Sequence, residues 1–430
     1  MPIEDVIVVD VVAPSEEFVT AVEDGRGLGD SSVRCHWLDA SRLNDVELEV
    51  ALDRYLPGCR GVLVSCIPTA QATYVNWALD RRVPALVDKP LFTSQGASVR
   101  LPEARLVSER LRRCLAVADR HQIFWCPLRY RGTSLFKEAT QTANLIYETF
   151  GAQLNHFYLV SAGGITRYPA ENSQGGAHSH AHGIGSLGHS LYHMIDLFAW
   201  FLGQASEENR TVEVALVDVV RLKDYAKGTA YEATARANGE TSLSSLAATD
   251  ELRPESLETE VDFSFSLIMR DAAGDRDGSA GMFCAQSSFA PRSSAFVVEH
   301  DHANTPSGGR MTSFVIDIHQ EGLANLRFEA NQSGYDRPRR VRHSANFHPR
   351  LHSAGFQDRP LAGTELEEGA ENIVFDFCAA AFGRSVSRPG VGLLDQRLTI
   401  EIYGAMLESI AGNLTGEEPQ NRRIPVGRSG

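Results

Sequence analysis

The stretch GVLVSCIPTAQATYVNWALDRRVPALVDKPLF, residues 61–92, sets two apolar runs on either side of one helical span. GVLVSCIP (61–68) and PALVDKPL (84–91) are short and apolar, as buried strands are, and TYVNWALDRR (73–82) between them reads as a helix. Two strands joined through a helix need a crossover connection, and a crossover makes them parallel neighbours in a sheet covered on both faces. The same alternation extends in both directions. DVIVVDVV (5–12) reads as a buried strand, SEEFVTAVED (15–24) as a helix with a serine N-cap and an acidic first turn, SVRCHWLD (32–39) as a strand and DVELEVALDRYL (45–56) as a helix. Beyond residue 92, EARLVSERLRRCLAVADRHQ (103–122) predicts a long amphipathic helix and IFWCPLRY (123–130) a return to strand. Residues 1–150 are therefore expected to form an α/β, doubly wound parallel sheet.

After Gly151 the texture changes. AQLNHFYLVSAGG, RTVEVALVDVVRL, TEVDFSFSLIMRD, GSAGMFCAQSSF, SFVIDIHQEG and LANLRFEAN follow one another with few helices between them, and several alternate apolar with polar residues. That is the pattern of an antiparallel sheet with one open face. Residues 223–259 and 333–368 are polar and read as long loops, and LLDQRLTIEIYGAMLESIAGN (393–413) as a closing helix. Residues 151–430 are thus expected to form an α+β domain around a large, mostly antiparallel sheet.

The bulk properties exclude several partners. The chain has 430 residues, 43% of them hydrophobic, and a net charge of −14, with no cluster of lysines and arginines that would hold nucleic acid or an anionic membrane. Seven cysteines, an odd number without a CxxC pair, read as reduced thiols of a cytoplasmic protein. The N-terminus lacks the basic start and apolar core of a signal peptide, and no segment approaches about 20 uninterrupted apolar residues, so neither export nor a membrane span is expected.

In an open parallel sheet a ligand sits beyond the carboxyl ends of the strands. The residues there are Ile67, Pro68 and Thr69 after the first run, and Asp88, Lys89 and Pro90 after the second. A lysine directly before proline is held in an extended backbone, so the Lys89 ammonium is expected to point into the crevice from a fixed base. Taken in order, VLVSCIPT, WALDRRVPALVDKPLF, LAVADRHQIFWCPLRYRGTSLFKEA and GSLGHSLYHMIDLFAWFLG resemble the Gfo/Idh/MocA family of NAD(P)-dependent oxidoreductases. DKP stands where that family has Glu-Lys-Pro, LRYRG where it has an arginine-bearing strand end, and HSLYHMID where it has Asp-x-x-x-His-x-x-Asp.

The resemblance implies a Rossmann-like dinucleotide-binding domain over 1–150, a substrate and oligomerisation domain over 151–430, and hydride transfer between NAD or NADP and a secondary alcohol or ketone of a sugar, polyol or related molecule. It gives Lys89 the task of bonding the reacting oxygen and His193 that of general base, with His189 as a variant catalytic residue beside it. Ile67, Pro68, Thr69, Asp88, Lys89 and Pro90 would face the cofactor; Arg129, His189 and Asp196 would face the substrate. Family members pair through the open sheet face, so a homo-oligomer is expected. The chemistry is coherent: a base must take the hydroxyl proton as hydride leaves, histidine titrates in the useful range, and a nearby cation stabilises the developing alkoxide.

Three departures stand out. His189 replaces the family aspartate, and Gln71 and Ala72 occupy the place of a family histidine. A pyrophosphate cradle needs a strand, a Gly-x-Gly-x-x-Gly turn and a helix, and no such turn follows DVIVVDVV. The glycines Gly25, Gly27 and Gly29 follow a helix and read as a loop or C-cap. Two alignments remain. VIVVD is either the family's second strand, with Asp10 as the acid that holds the adenosine ribose and the first strand, glycine loop and helix absent, or its first strand with a glycine-free loop.

Five of the 14 histidines lie between 178 and 193. His178, His180 and His182 read as loop residues near the site entrance, while His189 and His193 form an i, i+4 pair able to ligate a metal. A metal-dependent enzyme built on this cluster, and a non-redox or non-catalytic subunit, are the two other readings the sequence leaves open.

Overall fold

The computed structural model describes residues 5–10, 14–23, 34–118, 122–162, 180–189, 191–207, 209–226, 254–285, 313–331, 340–365, 368–384, 386, 392–417 and 422–426. Asp5–Asp10 (β1) and Arg34–Asp39 (β2) pair in parallel, from Asp5↔Arg34 to Asp10↔Asp39, with Glu16–Glu23 (α1) between them in sequence. Val62–Val64 (β3), Ala85–Val87 (β4) and Phe124–Trp125 (β5) form a second parallel sheet in that order. The helices between are Asp45–Asp53 (α2), Gln71–Asp80 (α3) and Leu101–Val117 (α4). Local chemistry explains their ends. Asn44 closes a capping box with Glu47 at the start of α2, and Pro102 sits in the first turn of α4, where its missing N–H costs nothing. Leu101, Ala104, Val107, Ser108, Leu111, Cys114 and Leu115 form the buried stripe of α4.

No ladder joins β1 to β3, so the parallel strands stand as two groups, β2-β1 and β3-β4-β5. Among the described residues each group therefore keeps an edge with no strand bonded to it.

The expected strand 123–130 is cut to two residues. Pro127 has no N–H to give a ladder, Leu128 N bonds back to Cys126 O at 2.7 Å, and the backbone turns helical over Arg129–Gly132 before Ser134–Phe150 (α5).

The second half is a nine-stranded sheet in the order β13-β12-β11-β10-β6-β9-β8-β7-β14. Its strands are Leu154–Ala162 (β6), Thr211–Arg221 (β7), Glu260–Arg270 (β8), Arg276–Ala285 (β9), Ser313–Gln320 (β10), Ala324–Asn331 (β11), Arg340–Phe347 (β12), Arg359–Glu365 (β13) and Arg423–Pro425 (β14). All neighbours are antiparallel except β6 and β9. Every strand expected from alternation is present, and β8 shows why: Phe263, Phe265, Leu267 and Met269 are buried while Ser264, Ser266 and Ile268 are less so. Two strands, β12 and β13, correct the expected loop at 333–368. Their sequences lack a β-branched run, and it is pairing with β11 and with each other that holds them.

Tyr192–Gln204 (α6) and Arg397–Thr415 (α8) pack beside this sheet, α8 also lying against α4. Glu368–Ala381 (α7) does something the sequence does not announce. Its Ile373 and Phe377 bury against Leu86 of β4, with Ile123, Trp125 and Ala381 around them, and Trp125 bridges to Gly392. The covering of the first sheet thus draws on residues far beyond 150. Among the described residues no helix is long and apolar enough to cross a membrane.

Candidate functional site

Beyond the carboxyl ends of β1, β3, β4 and β5 lie Asp10, the turn after Val64, the turn after Val87 and Cys126. Asp10 is exposed at the end of β1, where its carbonyl accepts from Ala40 N at 3.0 Å and from Trp37 Nε1 at 3.2 Å. Burial pushes the Cys66 thiol, just past β3, up to about 11, and the charges of Asp10 and Asp88 add to the effect. Tyr74 on α3 is raised to about 12, first by burial and then by Cys66, Asp10 and Asp45. The mouth of the crevice is therefore acid-rich.

The turn after β3 is tightly held. Ala70 N bonds Ile67 O at 2.9 Å, Thr93 N bonds Pro68 O at 3.0 Å, and Gln71 Nε2 bonds Cys66 O at 3.1 Å. Ile67 and Thr69 are partly buried and Pro68 is buried. After β4, Asp88 N bonds Val64 O at 2.9 Å, and the Asp88 carboxylate accepts from Lys89 N at 2.9 Å. Asp88 and Lys89 are half-buried, Pro90 is buried, and the Lys89–Pro90 bond is cis.

Cys126, just beyond β5, is fully enclosed. Burial drives its thiol far up; Asp88 and Asp196 push it further, while Lys89 and Arg131 oppose them. His193, in the first turn of α6, is half-buried and forms a T-shaped pair with Tyr130, their ring centroids 6.1 Å apart. Tyr192 beside it is fully buried and packs on Tyr403 of α8 at 5.3 Å.

Asp196 requires a correction. The sequence placed it in the crevice as a substrate ligand, but its side chain is 1% exposed and clasped by Arg131, 2% exposed, with Nη2–Oδ1 at 2.6 Å and Nε–Oδ2 at 2.9 Å. Thr399 Oγ1 donates a third bond at 2.8 Å, and the guanidinium lies 5.5 Å from the Trp200 ring. Helical spacing put Asp196 on the His193 face correctly, yet a buried carboxylate needs a cation, and Arg131 from another segment supplies it. Arg129, assigned to substrate, opens the helical turn before α5; its side chain lies outside the described residues, as does that of His189 at the end of the one-turn helix Ser186–His189.

The histidine cluster is described only in part. His178 and the glycines 25–29 lie outside the described residues. His180, expected at the entrance, is 5% exposed with Nδ1 2.6 Å from Thr259 Oγ1, and His182 is half-buried. Among the described residues no three His, Cys, Asp or Glu side chains are placed to hold a metal ion.

No family model matches the chain, and no curated protein matches it. Solved structures do. A levoglucosan dehydrogenase in complex with NADH matches over 99% of this chain and 91% of its own, at 14% identity and TM-score 0.50. The likeness shows the fold. A putative myo-inositol dehydrogenase from Sinorhizobium meliloti (15% identity, 98% and 92% covered, TM-score 0.46) and an oxidoreductase from Agrobacterium radiobacter in complex with NAD+, L-tartaric acid and magnesium (14%, 98% and 90%, 0.48) also match. The two-part architecture, parallel sheets followed by a large and mostly antiparallel one, is that of the levoglucosan dehydrogenase structure.

Sequence reasoning missed Cys126, Tyr130, Arg131 and Thr399. Arg131 alone left a trace, as the second arginine of LRYRG; which of the two turns inward depends on where the helical turn begins.

Proposed function

We propose that the chain is an NAD- or NADP-dependent oxidoreductase that acts on a secondary alcohol or ketone of a sugar, polyol or similar hydroxylated molecule. The observation that carries this is the joining of the segment after Lys89 to the one leading into the His193-bearing helix, Gly96 N to His182 O at 2.7 Å and Ser98 N to Gly183 O at 3.1 Å, beyond the carboxyl ends of a parallel sheet. The Gfo/Idh/MocA resemblance and the likeness to an NADH-bound structure support it.

The residues fit such a cofactor at its two ends. The exposed Asp10 carboxylate suits a ribose hydroxyl, while Ile67, Pro68, Thr69, Asp88, Lys89 and Pro90 line the inner part. Bound there, a nicotinamide supplies a hydride acceptor. His193 takes the hydroxyl proton, held by Tyr130 and α6, and the Lys89 ammonium steadies the negative charge that grows on the oxygen. Asp196 and Arg131 hold α6 in place rather than touch substrate. The seven free thiols agree with a cytoplasmic setting.

Calorimetry with NADH and NADPH tests the reading directly. Micromolar to sub-millimolar binding that weakens in Lys89→Ala is the expected result; no heat at millimolar dinucleotide for the unaltered chain sinks it.

That no ladder joins β1 to β3 among the described residues is the one observation behind a second reading, a non-redox subunit that keeps the architecture without holding a dinucleotide. It agrees with β1 being the family's second strand, since the first would lie between β1 and β3. Silent calorimetry would point there.

We also propose self-association through the open sheet face. Tyr158 and Phe283 are 44% and 45% exposed there on the adjacent strands β6 and β9, Tyr158 lying over Gly281. Sedimentation of the unaltered chain should give a dimer or larger species. The double change Tyr158→Glu and Phe283→Glu should return a monomer, and an unchanged mass would discard the interface.

A further inference from the structure

One buried cluster lies outside the chemistry described so far. Residues 180–189, which lead into α6, are bound edge to edge with the loop 94–100 that follows Lys89. Gly96 N bonds His182 O at 2.7 Å, Ser98 N bonds Gly183 O at 3.1 Å, and Gly185 N bonds Ser98 Oγ at 2.9 Å. The contact is too close for side chains. Gly183 has φ +66°, and a Cβ there would sit 2.7 Å from Gly96 Cα. A Cβ on Gly185 would overlap the carboxyl group of Glu260.

Glu260, at the start of β8, has no exposed surface. Its Oε1 accepts from Leu187 N at 2.9 Å, within the one-turn helix, and its Oε2 meets no donor at hydrogen-bond distance. Burial pushes the carboxyl up, opposed by its own backbone amide, by Arg221 and by the Ser98 hydroxyl. Arg221 is also buried. Its Nη1 donates to Glu258 O at 3.0 Å and Ser98 O at 3.4 Å, and its Nη2 to Ile410 O of α8 at 2.7 Å. On the far side Thr259 gives its hydroxyl hydrogen to Ser256 O at 2.8 Å, so the hydroxyl accepts from His180 Nδ1.

These bonds join two segments that each end at a candidate reacting group. Lys89 runs through the buried Leu91 and Phe92 into 94–100, and 180–189 runs into the first turn of α6. A carboxylic acid with no surface and one oxygen spent on a backbone amide is costly unless it fixes something. We propose that Glu260 is a positioning residue: with Ser98 and Gly185 it forms a buried latch that holds the His193-bearing segment against the Lys89 loop and sets the spacing of the two groups. The idea rests on the reading of Lys89 and His193 as the site, and its test does not require turnover.

Hydrogen exchange of the full chain, with NMR of the histidine rings, examines Glu260→Ala, Glu260→Gln and Ser98→Ala. In Glu260→Ala and Ser98→Ala the Gly185 and Leu187 amides should exchange at least about tenfold faster while α4 and α8 keep their protection. The His193 ring proton should shift while that of the remote His352 does not. Glu260→Gln keeps an acceptor for Leu187 N and should retain protection within about twofold, whereas Ser98→Ala, which leaves the Glu260 side chain in place and removes the acceptor of Gly185 N, should not, a contrast that a packing role alone would not produce. If Glu260→Ala does not fold, Ser98→Ala decides. Unchanged exchange at 185 and 187, exchange that rises over the whole chain, or a His193 resonance that stays fixed overturns the latch. Absence of NADH binding by the unaltered chain would overturn only the oxidoreductase reading, and the exchange result would stand.

Discussion

Replacing Asp196 by alanine lowers the unfolding free energy by about 3–5 kcal/mol. The size follows from what remains behind. Arg131 would remain a cation in a site where its side chain is 2% exposed, without the carboxylate that clasps it through two nitrogens. Thr399 would lose its acceptor as well. The penalty is thus mainly that of a stranded cation, and the double change Arg131→Met with Asp196→Leu should recover most of it, because two apolar side chains of similar volume need no counter-charge. Chemical denaturation of the three variants measures this. A loss below about 1 kcal/mol for Asp196→Ala would mean that water reaches the pair, and would return Asp196 to the crevice as a substrate ligand.

Turnover carries the second large effect. Once an alcohol substrate is identified, His193→Ala should lower kcat by about 10²–10⁴-fold, the usual weight of a positioned general base. Lys89→Met should lower it by about 10²–10³-fold through the lost stabilisation of the alkoxide. The two differ in how they respond to pH. With the base gone, hydroxide takes over the proton removal, so the residual rate of His193→Ala should climb with pH, whereas Lys89→Met should keep the pH profile of the unaltered chain. Initial rates between pH 6 and 10 separate them. Equal, pH-independent losses in both would indicate that neither handles the proton.

What could be read from residues alone divides along physical lines. Six strands of the second half, β6 to β11, were legible because their alternation records a sheet with one covered face, as in Phe263, Phe265, Leu267 and Met269. The strand-helix-strand order around Lys89 was legible for the same kind of reason. Pairing between distant segments was not. Nothing in IDLFAWF tells that Asp196 meets Arg131 and Thr399, and nothing in TEVDFSF tells that Glu260 is enclosed by Ser98 and Gly185. Polar segments such as 340–347 become strands only because a neighbour offers its edge. Local pattern reports which face of an element is apolar; it does not report which element arrives to cover it.

The return of α7 to the first sheet limits how this chain could be rebuilt. A fragment ending near residue 150 would bare Leu86, Ile123 and Trp125, the patch that Ile373 and Phe377 cover, and would also lose the bridge from Gly392 to Trp125. Such a fragment should precipitate rather than fold. A chimera that exchanged the front half for a homologous one would need to transplant residues 368–396 with it, since the two pieces, distant in the gene, are a single unit of inheritance for the fold.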